Sequence, residues 1–404
     1  MIQTFKPSKF SLRLHHISRK QGFLTSVQLQ RRLKNVINLD CKENKNCGFS
    51  CNKITASIES FSSSCNKSTR DKSQLAQNLG ATILEHELTL QPKDGEEATP
   101  QSDLWRKWDA FYRFCRLYSV IGTIIGVTSV SLLPLTSVAD LSPAFFVGSL
   151  KAVIPLAFVN IYVAGINQLV DVDIDKINKP YLPLASGEYS MGQATAIVSA
   201  FGFMCLALGI MFQSPPLFIG ILVYFFLGTA YSIDLPLFRW KTNPYLAALC
   251  MVGASGFTIQ LSVFYHIQKY VLGRPIVFTK SLGFSVIFFS LFAAVLAMFK
   301  DIPDVDGDQE FGNQTFSVRF GKEKVFTLCI TLLMIAYGSA AVIGASSSIR
   351  LNKLVSVIGH CTLASFLWLR ANSVNLDDNA SVQSCYMFLW KLFNAEYLLI
   401  HFMH

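Results

Sequence analysis

The sequence predicts an all-α, multi-pass membrane protein of about nine transmembrane helices, and three observations carry that expectation. Hydrophobic residues make up 51% of the 404 residues and charged residues only 15%, which is too apolar and too poor in charge for a soluble globule. Apolar runs recur along the chain, each near the ~20 residues that a spanning helix needs. Acidic residues are scarce between the runs and gathered in two places: of the ten between positions 141 and 322, eight lie within 171–175 or 301–310.

The chain begins with a basic segment. Positions 1–39 carry eight Lys and Arg and no acid, the first being Asp40. That segment alone is +8, so the rest of the chain contributes about +1 of the total +9. The basic balance belongs to the N-terminus, and no nucleic-acid partner is expected. Residues 1–70 are basic, rich in Ser and amide side chains, and lack an apolar stretch of secretory length. This is organelle transit-peptide composition, expected to be cleaved. Residues 71–105 read as a polar linker and 106–404 as the membrane-embedded domain. Of ten Cys, four lie in the transit segment and six are scattered singly through apolar runs. There they behave as small hydrophobes, not as a disulfide framework.

The expected spans are 112–136, 144–170, 191–212, 216–234, 244–265, 278–299, 324–345, 351–371 and 384–403. Gln213-Ser-Pro-Pro216 forces a tight turn between the third and fourth. The ninth run is the weakest, broken by Lys391, Asn394 and Glu396. The two acidic clusters close the second and sixth runs. Loops after even-numbered spans emerge on one side of the bilayer, so both clusters face the same compartment. The loop after the fourth span, with Arg239 and Lys241, is on that side too. Lys269, Arg274 and Lys280 fall on the other, so charge bias alone does not orient the chain. Asp171 and Asp304 are 133 residues apart, four spans, which hints at a duplicated four-helix unit.

The clusters are where chemistry is expected, because an unpaired carboxylate at a membrane helix end is costly. At about 100° per residue, Asn167, Asp171 and Asp175 fall on one helical face and Asp173 points away. Asp304 and Asp308 repeat the i, i+4 spacing. Oxygen ligands on one face suit a hard divalent cation such as Mg²⁺. A calcium loop is excluded: counting from Asp171, the positions that need Gly and Glu hold Lys176 and Leu182, and counting from Asp304 they hold Gln309 and Thr315. Two facing carboxylate pairs can hold two Mg²⁺ ions, whose natural partner is a diphosphate. Lys176, Lys179, Arg239, Lys241 and Lys300 lie nearby to complete it. A diphosphate whose other end prefers the lipid bilayer is a prenyl diphosphate, and its departure leaves an allylic cation that aromatic faces stabilise. A cation transporter would place its acids near the midplane, whereas these lie at helix ends beside Lys and Arg. A soluble prenyl diphosphate synthase does not fit nine apolar runs. A CDP-alcohol phosphotransferase would need an Asp-Gly-x-x-Ala-Arg run, which is absent.

Asn167-Gln-x-x-Asp171-x-x-x-Asp175 and Lys300-Asp301-Ile-x-Asp304-x-Asp306-Gly-Asp308 resemble the paired motifs of plant aromatic prenyltransferases of the UbiA superfamily. Leu182-Pro-Leu-Ala-Ser-Gly187, Leu227-Gly-Thr-Ala-Tyr231-Ser, Leu235-Pro-Leu-Phe-Arg239-Trp-Lys241, Gly273-Arg-Pro275 and Trp390-Lys-Leu-Phe-Asn-Ala-Glu396-Tyr397 extend the resemblance over about 105–404. It implies a nine-helix UbiA-like bundle in a plastid (chloroplast) membrane and Mg²⁺-dependent transfer of a prenyl group from a prenyl diphosphate donor to an aromatic phenol acceptor. By motif match Asn167, Asp171, Asp175, Asp304 and Asp308 hold the metal, with the four aspartates catalytic. Asn167, Lys179, Tyr231, Lys241, Lys300 and Asp301 are the implied diphosphate contacts. Phe114-Cys-Arg116-Leu117-Tyr118-Ser119 replaces the Arg-Pro-His-Thr expected of homogentisate enzymes, Asp234 and Asn394 depart from the usual residues, and the chain ends Leu-Ile-His-Phe-Met-His404. These departures favour a coumarin, flavonoid or isoflavonoid acceptor with a dimethylallyl or geranyl donor over the phytyl or solanesyl transfer of the homogentisate group.

Overall fold

A computed structural model describes residues 100–403. The expected transit segment (residues 1–70) and residues 71–99 of the expected linker lie outside the described residues. Helices α1 (Pro100–Phe114) and α2 (Leu117–Leu132) are bent by 65° to one another. Then come α3 (Pro143–Val170), the short α4 (Val172–Asn178), α5 (Met191–Met211) and α6 (Pro215–Ser232). Next are α7 (Pro244–Val271), which carries two stretches of wide π turns, α8 (Lys280–Phe299) and the short α9 (Val305–Glu310) and α10 (Phe316–Phe320). The chain closes with α11 (Lys322–Ala345), α12 (Arg350–Asn372) and α13 (Asn379–Leu399). No strand occurs among the described residues.

The starts of these helices are written in the sequence. Ser142 accepts from the backbone N–H of Phe145 and is followed by Pro143 at the first helical position of α3. Ser190 and Gln193 form a reciprocal capping box on α5, and Asn243 followed by Pro244 opens α7 in the same way as α3. Such caps satisfy N–H groups that the helix leaves unpaired.

Each of the nine expected runs corresponds to a helix, with two corrections. The first run does not cross as a straight 112–136 span. It is split between α1 and the 16-residue α2, which reach spanning length only together, and the chain turns at Arg116, which adopts φ 47, ψ 55. Arg113 explains the turn: it donates to both Glu188 carboxylate oxygens (3.0 and 2.7 Å) and to the Tyr181 carbonyl, holding the end of α1 against the loop before α5. Among the described residues, seven helices are long and apolar enough to cross a membrane, or eight if the bent first pair is one span. Helix α13 is not among them, so the count of nine spans is not reached.

Helix α8 is the axis of the bundle. Phe288, Phe289, Phe292 and Phe299 on it are buried to 5% or less, and Phe289 stacks on Tyr397 of α13 at 3.9 Å between ring centroids. Outer helices reverse the soluble pattern. Phe203, Ile335, Val342 and Leu369 are exposed, as expected where the surrounding medium is hydrocarbon and water is absent.

Candidate active site

The site is built where α3 runs into α4 and α8 into α9. Asp171 has φ −103, ψ 17, which ends α3 and begins α4. The hydrogen-bond rhythm nevertheless continues: the N–H of Asp171 donates to Asn167 O (3.1 Å), that of Asp175 to Asp171 O (2.7 Å) and that of Lys179 to Asp175 O (2.7 Å). The four residues are therefore stacked on one face despite the break. Asp173 points the other way, with a side chain 75% exposed and Lys176 at 2.8 Å. Asp308 N–H donates to Asp304 O at 3.0 Å, and Asp306 is exposed.

The two short helices are joined by Asn178, whose Oδ1 accepts from the N–H of Gly307 at 3.1 Å. A Cβ at Gly307 would lie 2.4 Å from that oxygen, so the close approach requires glycine. The clusters thus face one another on one side of the bundle, as the loop parity of the sequence demands.

Between them opens a cavity of about 410 Å³, within the range of small-molecule sites. All ten residues singled out by the sequence line it: Asn167, Asp171, Asp175, Lys179, Tyr231, Lys241, Lys300, Asp301, Asp304 and Asp308. Carboxylates and cations alternate across the floor. Lys241 pairs with Asp171 and Lys179 with Asp304. Lys300 holds Asp301 at 2.6 Å, with its ammonium 5.5 Å from the centre of the Tyr231 ring. Asn167 donates to Asp171 at 2.9 Å and accepts from Arg116 at 3.0 Å. Lys176 and Arg239, nearby in sequence, do not line the cavity. They pair outside it with Asp173 and Asp234.

Burial pushes the carboxyls of Asp175 and Asp308 up to about 6. Asp175 Oδ2 is buried without a hydrogen-bond partner. Among the described residues no three His, Cys, Asp or Glu lie close enough to hold one ion by themselves. Each cluster instead offers a carboxylate pair. That donor set matches Mg²⁺, which binds through one or two carboxylates and takes its remaining ligands from phosphate and water.

Above the floor the wall is aromatic and neutral. Tyr118 meets Trp390 edge-on at 5.7 Å, and Tyr224, Phe393 and Tyr397 lie beyond. Ser119, Thr123, Asn160 and Tyr224 form a hydrogen-bonded group in this wall. The sequence held a signal for it in Asn160, a polar residue midway along an apolar run.

The sequence matches the family described as UbiA prenyltransferase over residues 120–392. It is 45% identical to the coumarin 8-geranyltransferase 1 of Citrus limon, with 100% of each chain covered. It is 49% identical to the homogentisate phytyltransferase 1 of Arabidopsis thaliana over 78% of this chain and 80% of that one. Naringenin 8-dimethylallyltransferase 2 of Sophora flavescens is 43% identical over 72% of each. A solved structure of a UbiA homolog from Archaeoglobus fulgidus bound to GPP and Mg²⁺ has a TM-score of 0.49 at 18% identity, over 72% of this chain and 99% of that one, a likeness too distant to carry an argument. The sequence relatives and the family match suffice: the chain belongs to the UbiA prenyltransferase family and is an aromatic prenyltransferase.

Proposed function

We propose that this enzyme transfers a dimethylallyl or geranyl group from its diphosphate to an aromatic carbon of a neutral polycyclic phenol of the coumarin or flavonoid class, in a plastid membrane. The observation that carries the acceptor reading is the separation of charge in the cavity. Among the described lining residues the cations are Arg113, Arg116, Lys179, Lys241 and Lys300, and each is engaged with the floor or mouth. The wall above them offers rings, hydroxyls and amides. A neutral phenol suits such a wall, whereas the carboxylate of homogentisate would need a paired cation to be buried there. Identity does not separate the classes, since coumarin and homogentisate enzymes match at 45% and 49%.

In this reading Asn167, Asp171, Asp175, Asp304 and Asp308 hold Mg²⁺, which when bound offsets the charge of the departing diphosphate. Lys179, Lys241 and Lys300 bind the diphosphate oxygens, and Tyr231, fixed beneath Lys300, adds a hydroxyl. Asp301 keeps Lys300 charged and in place. The bond between the allylic carbon and its oxygen breaks, and the ring faces of Tyr118, Tyr231 and Trp390 stabilise the cation. A carbon ortho or para to the acceptor hydroxyl attacks it and then gives up its proton to the released diphosphate, restoring aromaticity. Incubating yeast microsomes that carry residues 71–404 with Mg²⁺, each donor, homogentisate and a panel of plant phenols tests this. Prenylated coumarin or flavonoid is expected. Efficient prenylation of homogentisate with no product from the phenols would overturn it.

A further inference from the structure

One polar group in the apolar wall is fixed with its hydrogen unspent. Gln260 of α7 donates from its amide nitrogen to the Ser255 carbonyl at 3.1 Å. A carbonyl only accepts, so that contact settles which end of the amide is nitrogen. Ser285 donates to the amide oxygen at 2.7 Å, which agrees. The same amide nitrogen lies 3.0 Å from the hydroxyl of Tyr397. Tyr397 is therefore the acceptor in that bond, and its own O–H hydrogen is left to give elsewhere.

The ring has no freedom to turn away. Tyr397 is 1% exposed, stacked on Phe289 at 3.9 Å and edge-on to Phe393 at 5.5 Å. A Cβ at Gly126 of α2 would stand 2.8 Å from its hydroxyl. A second hydroxyl is arranged in the same way one turn along α2. Asn160 donates its amide hydrogens to Thr123 at 2.9 Å and Tyr224 at 3.0 Å. Those two hydroxyls can pass only one hydrogen between them, which leaves one over. Tyr397, Tyr224, Thr123 and Asn160 all line the cavity.

The depth is informative. Asn160 precedes Asn167 by seven residues on α3, or about 10 Å at 1.5 Å per residue. A hydroxyl donor at that depth, facing an otherwise apolar wall, is costly unless something polar meets it. A prenyl tail has nothing to offer. A fused-ring phenol, with its nucleophilic carbon at the floor, has oxygen at its far end.

We infer that Tyr397, oriented by Gln260, donates a hydrogen bond to the carbonyl oxygen of the aromatic acceptor and so sets acceptor specificity, with Tyr224 as a second donor at the same depth. The inference rests on the reading above that the acceptor is a neutral polycyclic phenol. Tyr397→Phe removes the hydroxyl and keeps the stacked ring. Its KM should be measured for umbelliferone and for the chromene analogue whose lactone carbonyl is a methylene, and likewise for naringenin and the corresponding flavan. The variant should raise the KM of the carbonyl acceptor about five- to tenfold, keep the donor KM within about twofold, and lose most of the wild-type preference for the carbonyl over the methylene compound. Tyr224→Phe should act in the same direction. A wild-type enzyme that prenylates none of these phenols overturns the proposed function, and this inference with it. A wild-type enzyme that does so, beside a Tyr397→Phe variant with unchanged carbonyl preference or with only the donor KM raised, overturns this inference alone.

Discussion

Asp171 and Asp173 are two residues apart and have opposite surroundings. Asp171 is 7% exposed, bonded by Asn167 and paired with Lys241, while Asp173 projects into solvent. Asp171→Asn or Asp304→Asn should therefore lower turnover on the order of 100-fold or more. Asp173→Asn should stay within about twofold by the same face argument, and radiolabelled donor incorporation would compare them. Equal losses at 171 and 173 would sink the assignment. A second expectation concerns pH. Asp175 and Asp308 are held up to about 6 by burial, so protons compete for these carboxyls well above the usual carboxylate range. Metal ligands must be deprotonated, so Mg²⁺ affinity should weaken as pH falls from 7 to 5, which calorimetry on the purified protein would detect. Affinity flat across that range would count against these two carboxyls as ligands. Spacing alone disclosed the carboxylates, because ligands on one face must recur at i and i+4. It did not disclose Asn178 or Gln260, whose partners Gly307 and Tyr397 become neighbours only after folding.

At the scale of the helix, the apolar runs and their caps were legible because lipid demands length and backbone demands capping. The bend at Arg116 was not, since it depends on Arg113 finding Glu188 across 75 residues. Helix crossings were also hidden. Where α6 crosses α3, a Cβ at Gly228 would lie 2.1 Å from Cγ2 of Val163, and both residues line the cavity. Valine on a helix is stiff at χ1, so it cannot step aside. Gly228→Ala should destabilise the bundle by roughly 1–3 kcal/mol, visible as a lowered Tm in detergent. Adding Val163→Ala should recover part of the loss, because residues in contact couple. Additive losses in the double variant would mean that the two helices do not meet as described.

For the whole molecule, the decisive inference was parity: two clusters at the ends of the second and sixth runs meet only if an even number of crossings separates them. Asn178 bonded to Gly307 is that meeting. It holds although the first crossing is bent and α13, long enough at 21 residues, is too polar to count as a span, because neither lies between the clusters. The N-terminal segment lies outside the described residues. Among the described residues, those lining the cavity all lie at or beyond Tyr112, and the family match begins at 120. Residues 1–39 hold eight cations and no acid, a charge pattern of the transit-peptide kind, and we propose that it serves import and not the proposed diphosphate site. Deleting residues 2–70 should therefore leave kcat and both KM values within about twofold in microsomes, while residues 1–70 fused to a fluorescent protein should carry it into plastids. Cytosolic fluorescence would end the transit reading. A truncated enzyme that reached the membrane but lost donor affinity would instead show that the basic segment folds back over the site.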